Sequence, residues 1–182
     1  GGTGMGALAG LFKSLGAKVT GSDGPIYPPM STFLEAQKIP LATTYGPENL
    51  SGARWNMSQE CPNIVIIGNA ISRTNVEAQA VERLSAEGKL RKMSFPEAIG
   101  EFMIGKRKSL VVAGTHGKTT TTSLISTLLM AAEMKPTVIN GGIINAYGTN
   151  ARLGAGEWVV VEADESDGTF LRLPATVAVV TN

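Results

Sequence analysis

A lysine and a threonine follow a glycine near the middle of the chain, in the order that phosphate-binding loops use. The segment from Gly114 to Thr119 reads G-T-H-G-K-T, and it lies between the apolar run 110–113 and the uncharged run 123–132. The first run has the length of a buried strand, and the second has the length of a helix. A helix N-terminus offers free N–H groups and the positive end of its dipole to an anion. The segment therefore predicts a phosphate-binding loop between a strand and a helix.

Each residue type in this loop has a use in nucleotide chemistry. Glycines let the backbone wrap closely around phosphate oxygens. Lys118 can reach the outer phosphates, and the Thr119 hydroxyl can ligate the magnesium ion that accompanies them. The spacing is shorter than the G-x-x-x-x-G-K-[ST] pattern, whose first glycine would fall on Val112, so a helix cap with an exposed lysine is the alternative. The predicted cofactor-binding residues are Gly114, Thr115, His116, Gly117, Lys118, Thr119 and Thr120.

A cluster of carboxylates follows another apolar run, which covers 158–161. Glu162, Asp164, Glu165 and Asp167 are four acidic residues within six positions. At the end of a buried strand, they cannot all point inward without a large desolvation penalty. A magnesium ion shared by one or two carboxylates, nucleotide phosphates and water would remove that penalty. The alternative is an acidic loop that is simply solvated.

Glycines at the start of the chain form a second candidate site. Gly2, Gly4 and Ala7 satisfy the G-x-G-x-x-G/A pattern that brings backbone against a diphosphate. Apolar residues from Met5 to Leu15 then recur at helical spacing. The chain begins directly in this turn, and we expect the strand that normally precedes it to lie outside the sequence. The alternative is a glycine-rich turn that only packs a helix on a strand.

Two further strands are predicted to end beside this turn. The run 18–22 leads to Asp23, at the position where a dinucleotide-binding unit places its ribose-binding acid. A solvated helix or strand cap is the alternative for this carboxylate. The β-branched run 64–67 predicts a buried parallel strand that opens into Asn69 and Ala70 at the same edge.

Local signals also predict helix ends, further strands and a domain boundary. Asn75 is predicted to cap a helix that ends near residue 87, and S-x-x-E at 94–97 is a capping box before a short helix. Strands are predicted at 136–139 and 176–180, with a glycine-rich loop at 141–150. The basic residues 106–108 predict a linker. We therefore predict an α/β protein: a Rossmann-like parallel-sheet domain over 1–105, then the start of a P-loop NTPase-like α/β domain over 106–182.

Composition limits the partners of this protein. The chain has 182 residues, of which 43% are hydrophobic, so it can form a core. The net charge of +1 comes from 16 basic and 15 acidic scattered residues, which argues against nucleic-acid or anionic-membrane binding. A single cysteine excludes an internal disulfide, and a single histidine excludes a His-rich metal cluster. With no apolar run near the roughly 18 residues of a membrane span and no signal segment, we expect a cytoplasmic location and small-molecule partners.

Three segments resemble the Mur ligase family, the ATP-dependent enzymes that build the peptide stem of peptidoglycan onto a UDP-sugar. They read A-G-T-H-G-K-T-T-T-T at 113–122, T-N-A-R-L-G at 149–154 and V-E-A-D-E-S-D at 161–167. The glycine-rich turn and G-S-D at 21–23 precede them, so the resemblance covers essentially the whole chain. It implies that a carboxylate of UDP-N-acetylmuramate takes the γ-phosphoryl group of ATP and that an amine attacks the acyl phosphate.

The resemblance also implies roles for particular residues. Lys118 and Glu162 would be catalytic, Thr119 and Glu162 would ligate Mg²⁺, and ATP would be the nucleotide. The residues implied to surround the uridine diphosphate are Gly2, Gly4, Ser22 and Asp23. Asn150 and Arg152 are predicted on a loop, where they could meet phosphates or merely water. The other candidates for substrate binding are Met5, Asn69 and Ala70.

The chain looks mosaic, because its two halves resemble family members that use different amines. From residue 139 onward it resembles family members that attach L-alanine. The segments 3–10, 27–32 and 67–73 are more similar to members that attach a ready-made tripeptide during cell-wall recycling. We favour L-alanine, because the acidic segment matches those members better.

Two other classes of protein stay open as alternatives. A non-catalytic nucleotide-sugar-binding module is one of them. An NAD-dependent oxidoreductase is the other, and it would use the first turn but leave the phosphate loop idle. The family's signature continues beyond Asn182, so we expect the 182-residue piece to bind the UDP-sugar without ligase activity.

Overall fold

Strands and helices alternate along the part of the chain that the computed structural model describes, which is residues 2–144, 149–163 and 169–182. The strands are β1 Gly21–Ser22, β2 Leu41–Ala42, β3 Ile64–Ile67, β4 Arg91–Ser94, β5 Lys108–Ala113, β6 Thr137–Ile144, β7 Thr149–Arg152, β8 Trp158–Glu162 and β9 Val177–Val180. The helices are α1 Gly2–Ser14, α2 Met30–Ala36, α3 Val76–Ala86, α4 Phe95–Ala98 and α5 Lys118–Ala131. A π-helical segment, Ile99–Ile104, continues α4, and 3₁₀ turns cover Pro47–Leu50, Gly52–Trp55 and Thr169–Arg172.

The largest sheet has five strands in the order β7-β6-β8-β5-β9. All neighbouring pairs are parallel except β6 and β7, which form an antiparallel hairpin. Its central strands are aliphatic runs that are fully buried at Val112, Val138 and Val160, as expected for parallel strands covered on both faces. Helix α5 packs on β5, β6 and β8. The predicted α/β architecture with parallel strands is confirmed for this half of the chain.

The first half of the chain contains two separate pairs of parallel strands. Strand β1 pairs with β2, and β3 pairs with β4. The predicted strand 18–22 is shorter than expected and covers only Gly21–Ser22. Strand β3 has the predicted bounds, but it is half-buried instead of fully buried, since β4 is its only strand partner among the described residues.

Both predicted helix caps are confirmed. The Asn75 side chain accepts hydrogen bonds from the backbone N–H groups of Glu77 and Ala78, at 2.9 and 3.0 Å. Ser94 and Glu97 form a reciprocal capping box. Hydrogen bonds from the hydroxyl and the backbone N–H of Ser94 hold the pKa of the Glu97 carboxyl below its usual value. These local signals therefore determine where α3 and α4 begin.

A hydrophobic cluster joins residues from both predicted domains. Leu8 and Leu11 of α1 pack in the same cluster as Met103, Ile139 and Val159, and α1 lies against β6 and β7. None of the described helices is long and apolar enough to cross a bilayer. The division of the chain near residue 105 stays a prediction.

The basic segment 106–108 is more ordered than a solvated linker. Arg107 donates through Nη1 to the Thr137 hydroxyl at 2.9 Å, and its Nη2 donates to the Met103 carbonyl. Lys108 is the first residue of β5 and pairs with Glu157 at 3.1 Å. Lys106 and Lys108 are exposed, as expected for a linker, but Arg107 donates to buried acceptors on two neighbouring elements.

Candidate nucleotide and metal site

The predicted phosphate loop links the end of β5 to the start of α5. Gly114 and Gly117 have φ angles of +133° and +79°, which L side chains rarely adopt. A Cβ atom on Gly114 would lie 2.3 Å from Oγ1 and 2.4 Å from the carbonyl oxygen of Thr181. The helix begins at Lys118. The threonines at 119–122 are therefore helical, and the helix starts closer to the loop than the predicted run 123–132. The geometry fits a loop that exposes backbone N–H groups at a helix N-terminus.

Neighbouring strands hold this loop on both sides. On the β9 side, the His116 N–H donates to the Asn182 carbonyl at 2.6 Å, and the Thr181 N–H donates to Ala113 at 2.8 Å. On the β8 side, the Ala163 N–H donates to Val112 at 2.9 Å. The loop positions 115–117 themselves are exposed. The loop is therefore fixed at its base and accessible at its tip.

The Lys118 side chain lies over the predicted phosphate loop. Its Nζ donates to the Gly114 carbonyl at 2.6 Å and to the Thr115 carbonyl at 3.4 Å. The side chain is half-buried, and Thr120 on the next position is exposed. The ammonium group is thus positioned beside the loop backbone, where it can neutralise a bound phosphate.

The structure brings Thr119 and Glu162 together, although they are 43 positions apart. Thr119 Oγ1 donates to Glu162 Oε1 at 2.7 Å. The other carboxylate oxygen, Oε2, accepts from the Gly141 N–H at 2.6 Å. Strand β8 places Glu162 opposite Val112, directly before the phosphate loop.

A hydroxyl and a carboxylate are hard oxygen donors, so this pair fits the predicted magnesium site. Thr119 Oγ1 and Glu162 Oε1 are 2.7 Å apart, which is close enough for both oxygens to contact one ion. Asp164, Glu165 and Asp167, the other acidic candidates, lie outside the described residues. Within the described residues, no three His, Cys, Asp or Glu side chains are grouped closely enough to hold a metal ion.

A glycine pair beside the carboxylate was not identified as functional from the sequence. Gly141 and Gly142 were predicted in a loop, but they belong to β6. A Cβ atom on Gly141 would lie 3.0 Å from Glu162 Oε2, and one on Gly142 would lie 3.0 Å from Thr119 Cγ2. Glycines inside a strand indicate close approach of another group, and this signal was available in the sequence.

The N-terminal glycines lie in helix α1 and not in a turn before it. Gly2 and Gly4 are in its first turns together with Met5, so the prediction of a preceding turn at these positions was wrong. A Cβ atom on Gly4 would lie 3.2 Å from Cζ of Phe95. Gly4 therefore has a packing role, because it allows α1 to approach α4 closely.

Asp23 follows β1 as predicted, but the sequence did not show which groups contact its carboxylate. Its Oδ1 accepts from the Tyr45 hydroxyl and from the Gly24 N–H, both at 2.8 Å. Burial and the hydrogen bond to Asp23 raise the pKa of Tyr45, so its phenol remains a donor at neutral pH. Partial burial by itself would raise the pKa of Asp23. Hydrogen bonds, including the one from Tyr45, act in the opposite direction and contribute to a pKa that lies below the usual value.

Ser22 belongs to a second network that is centred on Glu77. The Ser22 hydroxyl donates to Glu77 Oε1 at 2.5 Å. Glu77 Oε2 accepts from the Gly46 N–H at 3.0 Å and from Asn49 Nδ2 at 2.7 Å. This carboxylate joins α3 to the end of β1 and to the segment 46–49 after β2. Sequence reasoning missed it because its three partners are distant in the chain.

The structure corrects the predicted loop position of Asn150 and Arg152, because both lie on strand β7. Asn150 is only 4% exposed, and its Nδ2 donates to the Thr3 carbonyl at 3.0 Å. This contact brings Asn150 to the start of α1, beside the N-terminal candidates. Arg152 is exposed on β7. Asn69 and Ala70 are exposed in the turn after β3.

Comparison with known sequences identifies the family. The Mur ligase family, catalytic domain, matches residues 1–107. The chain belongs to the Mur ligase family. Over 182 aligned residues it is 47% identical to a UDP-N-acetylmuramate--L-alanine ligase of Allorhizobium ampelinum, covering 100% of this chain and 36% of that protein. A protein of the same name from Rhodopseudomonas palustris strain BisB18 is 49% identical, with 100% and 36% covered. This Mur ligase chain thus spans about a third of the length of these curated relatives.

Solved structures of Mur ligases have the same fold. One is the UDP-N-acetylmuramate:L-alanyl-gamma-D-glutamyl-meso-diaminopimelate ligase of Neisseria meningitides, with a TM-score of 0.83 and 32% identity over 99% of this chain and 57% of that one. Another is the UDP-N-acetylmuramate-alanine ligase of Thermotoga maritima, with a TM-score of 0.81 and 28% identity over 100% of this chain and 39% of that one. The predicted family and fold class are therefore confirmed.

Proposed function

We propose that the full-length protein that contains this chain is an ATP-dependent ligase. It joins L-alanine to the carboxylate of UDP-N-acetylmuramate in peptidoglycan synthesis. The observation that carries the proposal is the 2.7 Å contact between Thr119 and Glu162 at the phosphate loop. It occurs in a chain that is 47% identical, over its whole length, to a relative named for this reaction.

The reaction consists of two substitutions. A carboxylate oxygen of the sugar attacks the γ-phosphorus of ATP, and ADP leaves with the electrons of the broken P–O bond. The amine nitrogen then attacks the acyl carbon, inorganic phosphate leaves, and the amine loses a proton. Phosphoryl transfer chiefly requires positioning and charge neutralisation.

Residues of the loop can meet those requirements. The N–H groups at the start of α5 bind phosphate oxygens, and Lys118 neutralises their charge from its position over Gly114. Thr119 and Glu162 would hold magnesium, which when bound supplies further positive charge at the phosphates. The Gly141 N–H supports this proposal, because it donates to the second oxygen of Glu162 and restrains that carboxylate.

The UDP-sugar is assigned to the first half of the chain and to β7. Asp23 is held by Tyr45 at 2.8 Å, in the position where related folds contact a ribose. Asn150 donates to Thr3 at the start of α1, where we place the diphosphate beside Gly2 and Gly4. ATP and a UDP-sugar are intracellular metabolites, and we propose a cytoplasmic location on that ground.

A second candidate is the ligase that attaches a ready-made tripeptide to the same sugar. The similarity to the Neisseria structure, at a TM-score of 0.83 and 32% identity, favours it. Both enzymes would use the same nucleotide sugar and ATP, so the described site does not distinguish them. Membership of a ligase family favours either candidate over an oxidoreductase.

The test is phosphate release by the full-length protein with ATP, Mg²⁺ and UDP-N-acetylmuramate. We expect turnover with L-alanine and much less with L-alanyl-γ-D-glutamyl-meso-diaminopimelate. The reverse preference would support the tripeptide ligase. Binding of the nucleotide sugar without turnover of either amine would indicate a non-catalytic module, and tight binding of NAD would favour the oxidoreductase.

A further inference from the structure

Asn140 is a buried amide directly beside the Thr119 and Glu162 pair. It lies on β6, next to Gly141, and its side chain is 1% exposed. Its Nδ2 donates to the Ser123 hydroxyl at 3.2 Å and to the Gly142 carbonyl at 2.9 Å. Its Oδ1 has no hydrogen-bond partner among the described residues. The amide nitrogen of this buried side chain is thus held between Ser123 on α5 and Gly142 on β6.

Asn140 closes a ring of hydrogen bonds around the pair. The Ser123 hydroxyl that accepts from Asn140 also donates to the Thr119 carbonyl at 2.7 Å. On the other side, the N–H of Gly141 donates to Glu162 at 2.6 Å. Thr119 Oγ1 then donates to Glu162 at 2.7 Å and completes the ring. Helix α5, strand β6 and strand β8 each contribute to it.

We propose that Asn140 is a positioning residue that sets the distance between Thr119 and Glu162 for a divalent cation. This inference rests on the proposed function, because it assumes that the pair binds the metal of a metal–nucleotide complex. Asn140 does not touch the ligand oxygens themselves. It fixes α5 through Ser123 and fixes the Gly141–Gly142 backbone through the Gly142 carbonyl, so both ligands have one common support.

The chemistry of the amide makes this role specific. A backbone carbonyl only accepts hydrogen bonds, so the group that faces Gly142 must be a donor. Asn140→Asp keeps the shape of the side chain but places a carboxylate oxygen against that carbonyl. Groups that support metal ligands typically change metal affinity or activity by about 10- to 100-fold when they are replaced. We expect an effect in that range for Asn140→Asp.

The experiment measures Mn²⁺ binding to the full-length protein by electron paramagnetic resonance, with ADP present at saturation. The variants are Asn140→Asp and Ser123→Ala, and the matched control is Thr137→Val. Thr137 is 0% exposed and lies on the same strand, but its hydroxyl contacts Arg107 and Gly154 and not the metal pair. ADP affinity without metal and the midpoint of urea unfolding are measured for every variant.

We expect Asn140→Asp to weaken Mn²⁺ binding by about 10- to 100-fold, with ADP affinity in EDTA unchanged. Thr137→Val should lower the unfolding midpoint but keep normal Mn²⁺ binding. If Asn140→Asp does not fold, Ser123→Ala decides, since it cuts the same link from a less buried position. Normal Mn²⁺ binding by the folded variants, or an equal loss in Thr137→Val, would overturn the proposal. Mn²⁺ binding by the unmodified protein without ligase turnover would instead contradict only the proposed function.

Discussion

At the scale of single residues, function in this chain depends on a few atoms that separate segments bring together. Thr119 comes from the start of α5 and Glu162 from the end of β8, and their oxygens lie 2.7 Å apart. Lys118 is adjacent in sequence to Thr119 but contacts a different group, the Gly114 carbonyl of the loop. In the proposed site, neutralising phosphate charge and ligating the metal would therefore be separate tasks of neighbouring residues.

Lys118→Ala should abolish ATP turnover in the full-length protein while leaving UDP-sugar binding nearly intact. The physical reason is that Lys118 lies at the phosphate loop, whereas we assign the UDP-sugar to α1, β1 and β7. Coupled phosphate-release and calorimetric titrations measure both quantities. Lys89→Ala is the control, because Lys89 is paired at the surface with Glu87 at 3.0 Å. Equal losses of ATP turnover and of UDP-sugar affinity would show that Lys118 supports the fold instead.

At the scale of elements, the ends of helices and strands carry the contacts that shape the candidate sites. Glu77 in the first turn of helix α3 accepts hydrogen bonds from Ser22 at the end of β1 and from Gly46 in the loop after β2. Strand β6 similarly contacts α5 through Asn140 and β8 through Gly141. Each site is therefore a junction of three elements.

Glu77→Ala should raise the KM for the UDP-sugar without a matching change in kcat. The substitution leaves Ser22, Gly46 and Asn49 without their common acceptor, and a buried donor that loses its acceptor, such as the Gly46 N–H, costs about 1–3 kcal/mol. Glu77→Gln should restore most of the loss, since its carbonyl accepts from Gly46 and Asn49 while its amide donates to Ser22. Steady-state kinetics and urea unfolding check this. Equal kinetics for the wild type and Glu77→Ala would contradict it.

Ser94→Ala should destabilise the protein by about 1 kcal/mol at neutral pH, as expected for the loss of an N-cap side chain. The stabilisation also depends on ionised Glu97, whose pKa is lowered by hydrogen bonds from Ser94. A lowered carboxyl pKa stabilises the fold above the unfolded pKa, and the stabilisation disappears as pH falls through the folded value. The difference in urea midpoint between wild type and Glu97→Gln should therefore shrink below about pH 4. A constant difference down to pH 3 would count against this explanation.

At the scale of the whole molecule, the chain contains two candidate ligand sites that the β6–β7 hairpin connects. Asn150 on β7 contacts the start of α1, and Asn140 on β6 contacts the phosphate-loop helix. The chain nevertheless covers only 36% of the length of a curated relative. Most of the length of such a relative therefore lies outside the aligned segment.

We expect the 182-residue chain, if it folds alone, to bind UDP-N-acetylmuramate measurably but to have no ligase activity. The expectation assumes that the part of a curated relative that this chain does not cover orients the reacting groups, and orientation can supply about 7–11 kcal/mol of rate acceleration. Phosphate release with ATP and L-alanine, run beside a binding titration, tests this. Turnover close to that of the full-length protein would refute it.

The sequence by itself determined the features that depend on neighbouring residues. Asn75 and Ser94 start their helices as predicted, because capping uses groups within three positions. The phosphate loop follows β5 as predicted, since glycines and the flanking apolar runs act locally. The bounds of β3 were also predictable from its run of β-branched residues.

Only the tertiary structure decided which distant residues meet. It placed Glu162 against Thr119 and Asn150 against Thr3, and it made Glu77 the acceptor for donors at three separate positions. Strand pairing and helix packing set these contacts, and a one-residue change in strand register would send each side chain to the other face of its sheet. Local pattern indicates which face of a strand is apolar, but it does not show which strands become neighbours, because that results from how the buried strands fill one shared core.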